Sequence, residues 1–239
     1  MRRVVEPELL DALSPDDALA AGSRMDLRQL NGIMGNAGIL FRATRCFLGK
    51  AATGSGRLRV VELGSGDGTL VLQWARRAAA LGVRGDLTLI DRQSLVSRET
   101  RHAFEALDWS VEGVGSDAFD WLEGSSANFD LMLANLFLHH FAETKLRAML
   151  HLVSLRTRMF VACEPRRSSL ALLAARWVGL LGCNAITRHD AVLSVRAGFS
   201  GSELGALWPT AKGWKVDESS SRLFSHCFAA TRSAPEGSG

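Results

Sequence analysis

Between Leu58 and Cys163 the chain repeats one pattern: a short apolar run, then a stretch with helical spacing. The runs are LRVVEL, DLTLID, WSVEGV, FDLMLA and RMFVAC. Helices are expected over Leu70 to Leu81, Ser94 to Leu107, near Phe119, over Glu143 to Leu155, and in the apolar segment after Pro165. Strands that are apolar throughout must be buried on both faces, which a parallel sheet with helices above and below provides. A hydrophobic share of 47% over 239 residues supplies the core for such a domain. After a helix near Ser202 to Leu207, WKVDE and RLFSHCFAAT are placed to close the sheet as a hairpin. The expected class is α/β, with a seven-stranded, mostly parallel sheet and helices on both faces.

Two helical patterns precede the sheet, from about Pro7 to Ala21 and from about Met25 to Leu48. In the second, Leu27, Leu30, Ile33, Met34, Ile39 and Leu40 recur at helical spacing, weakened by Gly32, Gly35 and Gly38. KAATGSGR reads as a linker, so 1–53 is expected to be an N-terminal helical cap and 54–232 the main domain. Within it, about 166–200 reads as an inserted cover, with NAITRHDAVLSVRAGFS irregular, and 233–239 as a disordered tail. Ser168 to Thr187 is apolar, but Arg176 and two glycines interrupt it. A spanning helix needs ~20 mostly apolar residues, so a buried or lid helix is expected there and no stable membrane insertion.

The 28 Lys and Arg against 25 Asp and Glu give a charge of +3. The basic residues are scattered, which argues against a nucleic-acid partner. Cys46, Cys163, Cys183 and Cys227 lie far apart without CxxC spacing, so no metal site is expected and the thiols read as reduced. No export signal is visible, and a cytoplasmic location is expected. The sequence leaves the oligomeric state open, a homodimer included.

The first run leads into VVELGSGDGT, with Gly64, Gly66 and Gly68 within five residues. A ligand in such a sheet sits beyond the strand ends, where glycines permit positive φ and close backbone approach. A phosphate loop would need GxxxxGK[ST], and no lysine follows. A dinucleotide turn would need GxGxxG, and Thr69 stands where its last glycine belongs, which disfavours a nicotinamide oxidoreductase.

ELGSGDGT resembles the first motif of the class I S-adenosylmethionine-dependent methyltransferases, in particular the small-molecule type related to quinone-biosynthesis enzymes. Asp91 closing LTLID, Asp117 and Ala118 in GSDAFDW, and Asn135 and Leu136 in FDLMLANLFLHHF fall at the following motifs. The resemblance covers about Leu58 to Val161 and implies a Rossmann-like sheet and S-adenosyl-L-methionine as cofactor. It further implies that Glu62, Gly64, Ser65, Gly66 and Gly68 form the methionine-end wall, with Glu62 orienting backbone or taking up the ammonium indirectly. Asp91, with Arg92 beside it, would hold the ribose hydroxyls, Asp117 and Ala118 would flank the adenine, and Asn135 and Leu136 would close the fourth strand end.

Methyl transfer from a sulfonium is an in-line displacement, helped by a base when the acceptor is a hydroxyl. His139 and His140 follow the fourth strand and are candidate bases, with helix capping or packing as the competing reading. His189 is a third candidate; adjacent residues do not share a helix face, so His189 and Asp190 are not expected to form a dyad. Arg166, Arg188 and Asp190 are candidate acceptor contacts. The apolar flanks favour a small lipophilic acceptor, and ANLF lacks the prolines of an NPPY run, which counts against amino methylation. The expected activity is methyl transfer to an oxygen of a small aromatic or polyketide-like metabolite. Carbon methylation of a quinol-type ring and a non-catalytic cofactor-binding subunit are the competing readings.

Overall fold

A computed structural model describes residues 1–14, 16–54, 56–93, 95–209 and 213–233. The expected tail, apart from Ser233, lies outside the described residues. Seven strands form one sheet: β1 (Leu58–Leu63), β2 (Gly85–Asp91), β3 (Trp109–Gly115), β4 (Phe129–Asn135), β5 (Thr157–Pro165), β6 (Trp214–Ser221) and β7 (Ser225–Arg232). Their order is β3-β2-β1-β4-β5-β7-β6. The first five run parallel, and β7 pairs antiparallel with both β5 and β6. The order reverses direction between β1 and β4, and in open α/β sheets that crevice is where ligands bind.

The strands feed two cores because side chains alternate along them. Leu58, Val60, Leu87, Leu89, Leu131, Leu133 and Val161 enter one core, whereas Val61, Leu63, Ile90, Met132, Ala134 and Phe160 enter the other. Over the first face lie α2 (Asn36–Ala52), α3 (Thr69–Ala79) and α4 (Arg98–Glu105). The second is covered by α5 (Ala118–Gly124), α6 (Glu143–Arg156) and α9 (Glu203–Leu207). The N-terminal cap is integral to the first core: Trp74 of α3 donates its indole N–H to the Thr44 hydroxyl of α2 at 3.0 Å. Trp74 also packs edge-on against Trp109 with ring centroids 5.5 Å apart.

Two expectations are corrected. The cap helices are α1 (Ala18–Met34) and α2, so the break falls at Gly35, and the described residues before Ala18 hold one 3-10 turn, at Leu10–Ala12, and no α-helix. Asp17 fixes the start of α1 by accepting from the Leu19 and Ala20 N–H groups, and Gly35 ends it with φ 71°. The piece read as irregular is a helix, α8 (Ala185–Ala197), capped by the Asn184 side chain accepting from the Thr187 N–H. Its apolar residues did not repeat at one spacing because the helix meets several elements: α1, α7 (Ser169–Arg176), β5 and the turn after β4. Asp26 of α1 accepts from the Asn184 N–H and the Thr187 hydroxyl, both at 2.8 Å, which fastens α1 to the start of α8.

The apolar segment 168–187 is divided among α7, a 3-10 turn at Val178–Leu181 and the start of α8, with Gly182 at φ 84° between them. Among the described residues, no helix is long and apolar enough to cross a membrane. All four cysteines are free.

Candidate active site

A cavity of about 930 Å³ opens beyond the C-terminal ends of β1, β2 and β4 and runs beneath α1, α7 and α8. The glycine turn forms one end of it. Gly64, Gly66 and Gly68 all have positive φ, at 68°, 53° and 75°. At Gly64 a side chain is excluded twice over, because a Cβ would lie 2.2 Å from the Phe137 ring. The Gly66 N–H donates to Asp91 Oδ2 at 2.8 Å while the Gln93 N–H donates to Oδ1 at 2.9 Å, so one carboxylate ties the turn to the end of β2. Asp67 accepts from the Thr69 N–H and hydroxyl, and its other oxygen pairs with Arg28 Nε of α1 at 2.5 Å.

Three polar atoms at this end are buried without a partner among the described residues: Glu62 Oε2, Ser65 Oγ and Asn135 Oδ1. Each belongs to a residue that lines the cavity. Buried polar groups are normally satisfied, so three orphans converging on one hollow mark a place prepared for a polar ligand. Burial, reinforced by Asp67 and Asp91, pushes the Glu62 carboxyl well above the usual carboxylate range. Leu136, directly after β4, is held at φ 50°, a conformation uncommon for leucine that stores strain beside the cavity. Asp117 caps α5 by accepting from the Phe119 N–H at 2.8 Å. The expected cofactor contacts all line the cavity except Gly68, which caps α3 and packs under Leu89. Arg92 lines it while paired with Asp11 at 3.1 Å.

The other end is built from distant segments. Leu27, Leu30, Met34, Ala174, Val178 and Val195 are among its apolar lining. His139 is buried between two carboxylates, with Nδ1 2.8 Å from Glu164 Oε2 and Nε2 3.3 Å from Glu8 Oε1. Burial alone would lower its pKa, but the bonds to Glu164 and Glu8 outweigh it and hold the ring up at about 9. Its neighbour His140 is pushed down, first by burial and then by the His139 charge. His140 Nδ1 lies 3.4 Å from Asp11, and the two imidazole rings are 4.3 Å apart.

The remaining expected residues fall differently. Asp190 lines the cavity but serves the N-terminal strap, accepting from the Leu9 and Leu10 N–H groups at 2.9 and 3.0 Å. His189 does bond Asp190, Nδ1 to Oδ1 at 2.9 Å, contrary to the expectation from helix faces, because the neighbouring side chains bend toward each other. Its ring is nevertheless 49% exposed and outside the cavity lining, which takes it away from an acceptor there. Arg188 is exposed and Arg166 half-buried, and neither lines the cavity. Arg166 is drawn into the sheet edge, its N–H donating to the Phe224 carbonyl at 2.8 Å. The buried arginine is Arg167, which holds the Met1 and Gly198 carbonyls and contacts Ser200 and Glu203.

Sequence reasoning missed Glu8, Asp11 and Glu164, and also Asn31 of α1, which lines the cavity and accepts from the Asn135 side-chain amide at 3.1 Å. Glu164 carried a signal, as an acid at a strand end in the same CEPRR run as Arg166. Glu8, Asp11 and Asn31 carried none, because only the folded strap and α1 bring them to the strand ends.

A switch-point crevice at the end of β1, a glycine turn tied to the acid ending β2, and strained backbone after β4 define this site. The family described as a methyltransferase domain matches residues 60–157, the stretch that supplies all of these. Over these residues the chain resembles a methyltransferase domain, and its sheet has the strand order of a Rossmann-like fold. No curated protein matches it in sequence. Among solved structures it resembles magnesium protoporphyrin IX methyltransferase from Synechocystis PCC 6803 with bound SAH, at 14% identity and a TM-score of 0.50, covering 94% of this chain and 91% of that one. It also resembles a candidate O-methyltransferase from Nostoc punctiforme PCC 73102, at 12% identity and a TM-score of 0.59, covering 97% of this chain and 64% of that one. A third is the plantazolicin methyltransferase in complex with a triazolic desmethyl analogue and SAH, at 14% identity and a TM-score of 0.57, covering 87% and 88%. At these identities the likeness is one of fold.

Proposed function

We propose that this chain binds S-adenosyl-L-methionine at the glycine-turn end of the cavity and transfers its methyl group to an oxygen of a small, lipophilic aromatic or polyketide-like acceptor at the other end. The observation that carries this reading is the continuity of one cavity from the orphaned atoms of Glu62, Ser65 and Asn135 to an apolar chamber with a polar wall of Glu8, His139 and His140. The orphaned atoms fit a cofactor that offers an amino acid and an adenosine, with no phosphates to demand lysine or arginine. When bound, the cofactor supplies a methyl group on a sulfonium sulfur, open to in-line displacement.

The chain's own residues do the positioning. Asp91 can accept from two vicinal hydroxyls, Asp117 sits where an adenine edge would lie, and Glu62 offers a carboxyl to the amino-acid end. The helices α1, α7 and α8 line the chamber, and partial shielding from water strengthens charge interactions inside it. A polar wall opposite an apolar lining suits a hydroxyl carried on a greasy ring. The similar solved structures named above include methyltransferases of magnesium protoporphyrin IX and of plantazolicin, and an aromatic acceptor is in keeping with the first.

The test is incubation with methyl-labelled cofactor and a panel of phenols, quinols and polyketide acids, followed by mass-spectrometric location of the label. Label on oxygen supports the reading. Label on ring carbon replaces it with carbon methylation, and tight binding of the cofactor without turnover of any panel member makes the chain a binding subunit.

A further inference from the structure

We propose that Glu8, His139 and His140 form a binding site for one divalent transition-metal ion at the acceptor end of the cavity. One ligand atom from each lies within 4.8 Å of the others, and all three residues line the cavity. The 3.3 Å between His139 Nε2 and Glu8 Oε1 is long for a hydrogen bond between charged groups, which runs ~2.7–2.9 Å. The spacing of up to 4.8 Å is wider than the ~3.3–3.4 Å edge of a tetrahedron with bonds of about 2.0–2.1 Å, so the three side chains would draw together around the ion.

An outer ring of contacts points the same way. Glu164, fully buried, accepts from the backbone N–H groups of Phe137, Leu138 and His139 and binds the His139 ring at Nδ1. A carboxylate on one imidazole nitrogen fixes the ring so that the other nitrogen faces the metal. Ser194 of α8 donates to the Glu8 carboxylate and fixes it in turn. Glu8 and Glu164 flank the His139 ring, and a dication bound at Nε2 would displace the proton shared there with Glu8. Imidazole with carboxylate suits zinc, manganese, iron, cobalt or nickel, whereas magnesium and calcium prefer oxygen alone.

Three protein ligands leave a fourth position toward the chamber, the pattern of catalytic rather than structural sites. The role, though not the binding, rests on the methyl-transfer reading above. An acceptor hydroxyl at the open position would lose its proton to solvent more readily. Its oxygen would then form the new C–O bond as the C–S bond breaks, the electron pair staying on sulfur as a neutral thioether.

The experiment is titration of the chelator-treated full-length chain with Zn²⁺ against a chromophoric competitor at pH 7, repeated with Co²⁺ to read the visible bands of a tetrahedral or five-coordinate site. We expect one equivalent bound, at least tenfold weaker binding in Glu8→Gln and in His140→Asn, and ~10–100-fold weaker binding in Glu164→Gln. His102→Ala, at an exposed histidine, should bind as the parent does. Circular dichroism establishes that each variant is folded, and S-adenosylhomocysteine affinity, measured separately, tests the cofactor reading independently. Absence of a stoichiometric ion, or a loss in His102→Ala equal to that in Glu8→Gln, overturns the site. Metal binding with no acceptor turnover upholds the site and removes only its role.

Discussion

At one end of the cavity every cofactor-facing group we assign comes from a strand terminus between Glu62 and Leu136, whereas at the other the wall is assembled from Glu8, Asp11, α1, α7, α8 and the turn after β4. The first end is held by backbone geometry. Positive-φ glycines, the Gly66–Asp91 bond and the strained Leu136 are consequences of the sheet, and they leave polar atoms unpaired. The second is held by side chains from far apart in sequence, such as Glu8 on His139, 131 residues away, and Asp190 on the Leu9 and Leu10 amides. A rigid end suits a constant ligand, and an end made of a strap and covering helices suits one that varies between related proteins.

Substitutions should separate the two ends. The largest effect is expected from Gly64→Val, which sets a branched side chain at φ 68° against the Phe137 ring. Calorimetry with S-adenosylhomocysteine should find affinity reduced by more than about 100-fold, beyond ~2.7 kcal/mol. Retained affinity would mean that the turn is not the cofactor wall. Asp91→Ala should follow, because it removes a carboxylate from the ligand and frees the Gly66 amide. Hydrogen bonds to charged groups contribute ~1.5–3 kcal/mol, so a loss of roughly 10–100-fold is expected by the same measurement.

Asp190→Ala should act on the opposite end. Releasing two strap amides should raise the acceptor KM several-fold and speed proteolysis of the first dozen or so residues, with cofactor affinity unchanged. An equal loss of cofactor affinity would show that the two ends are not separable. The smallest effect, and the only gain, is expected in Glu62→Gln. Burial raises the folded pKa of Glu62 above its unfolded value, so the wild type loses stability as pH rises from about 4.5 toward that folded value. The glutamine variant escapes this loss. Its melting temperature should exceed the wild type's by a few degrees at neutral pH, since ~1 kcal/mol corresponds to about 2–4 °C in a chain of this size, and the difference should vanish below about pH 4.5. Cofactor affinity should fall in the same variant, the trade expected where a site is kept at the expense of stability.

Much of the sheet was legible because β1, β2, β4 and β5 are local runs of mainly apolar residues bounded by turns, while β3 at the sheet edge alternates. The glycine-turn end of the cavity was legible for the same reason: its residues sit at those boundaries, each within a short motif. Helix limits in the cap were less so. The break falls at Gly35, one of three glycines that the pattern could not rank, and the residues before Asp17, which showed a helical pattern, hold only one 3-10 turn among those described. α8 was read as irregular because it packs against several elements and carries no single apolar stripe. His139 was legible as a residue after β4, but not as a ring enclosed by Glu8 and Glu164.

By itself, then, the sequence determined the order of the strands, the glycine turn and the acids at the ends of β2 and β3, since all of these are set by residues close together in the chain. Only the tertiary structure decided that Glu8 reaches His139, that Arg166, Arg188 and His189 stand away from the cavity, and that Asp190 fastens the strap. Those outcomes depend on how helices and strap pack over the sheet. Such packing is fixed by shape and burial across long separations, for which the local spacing of residues carries no signal.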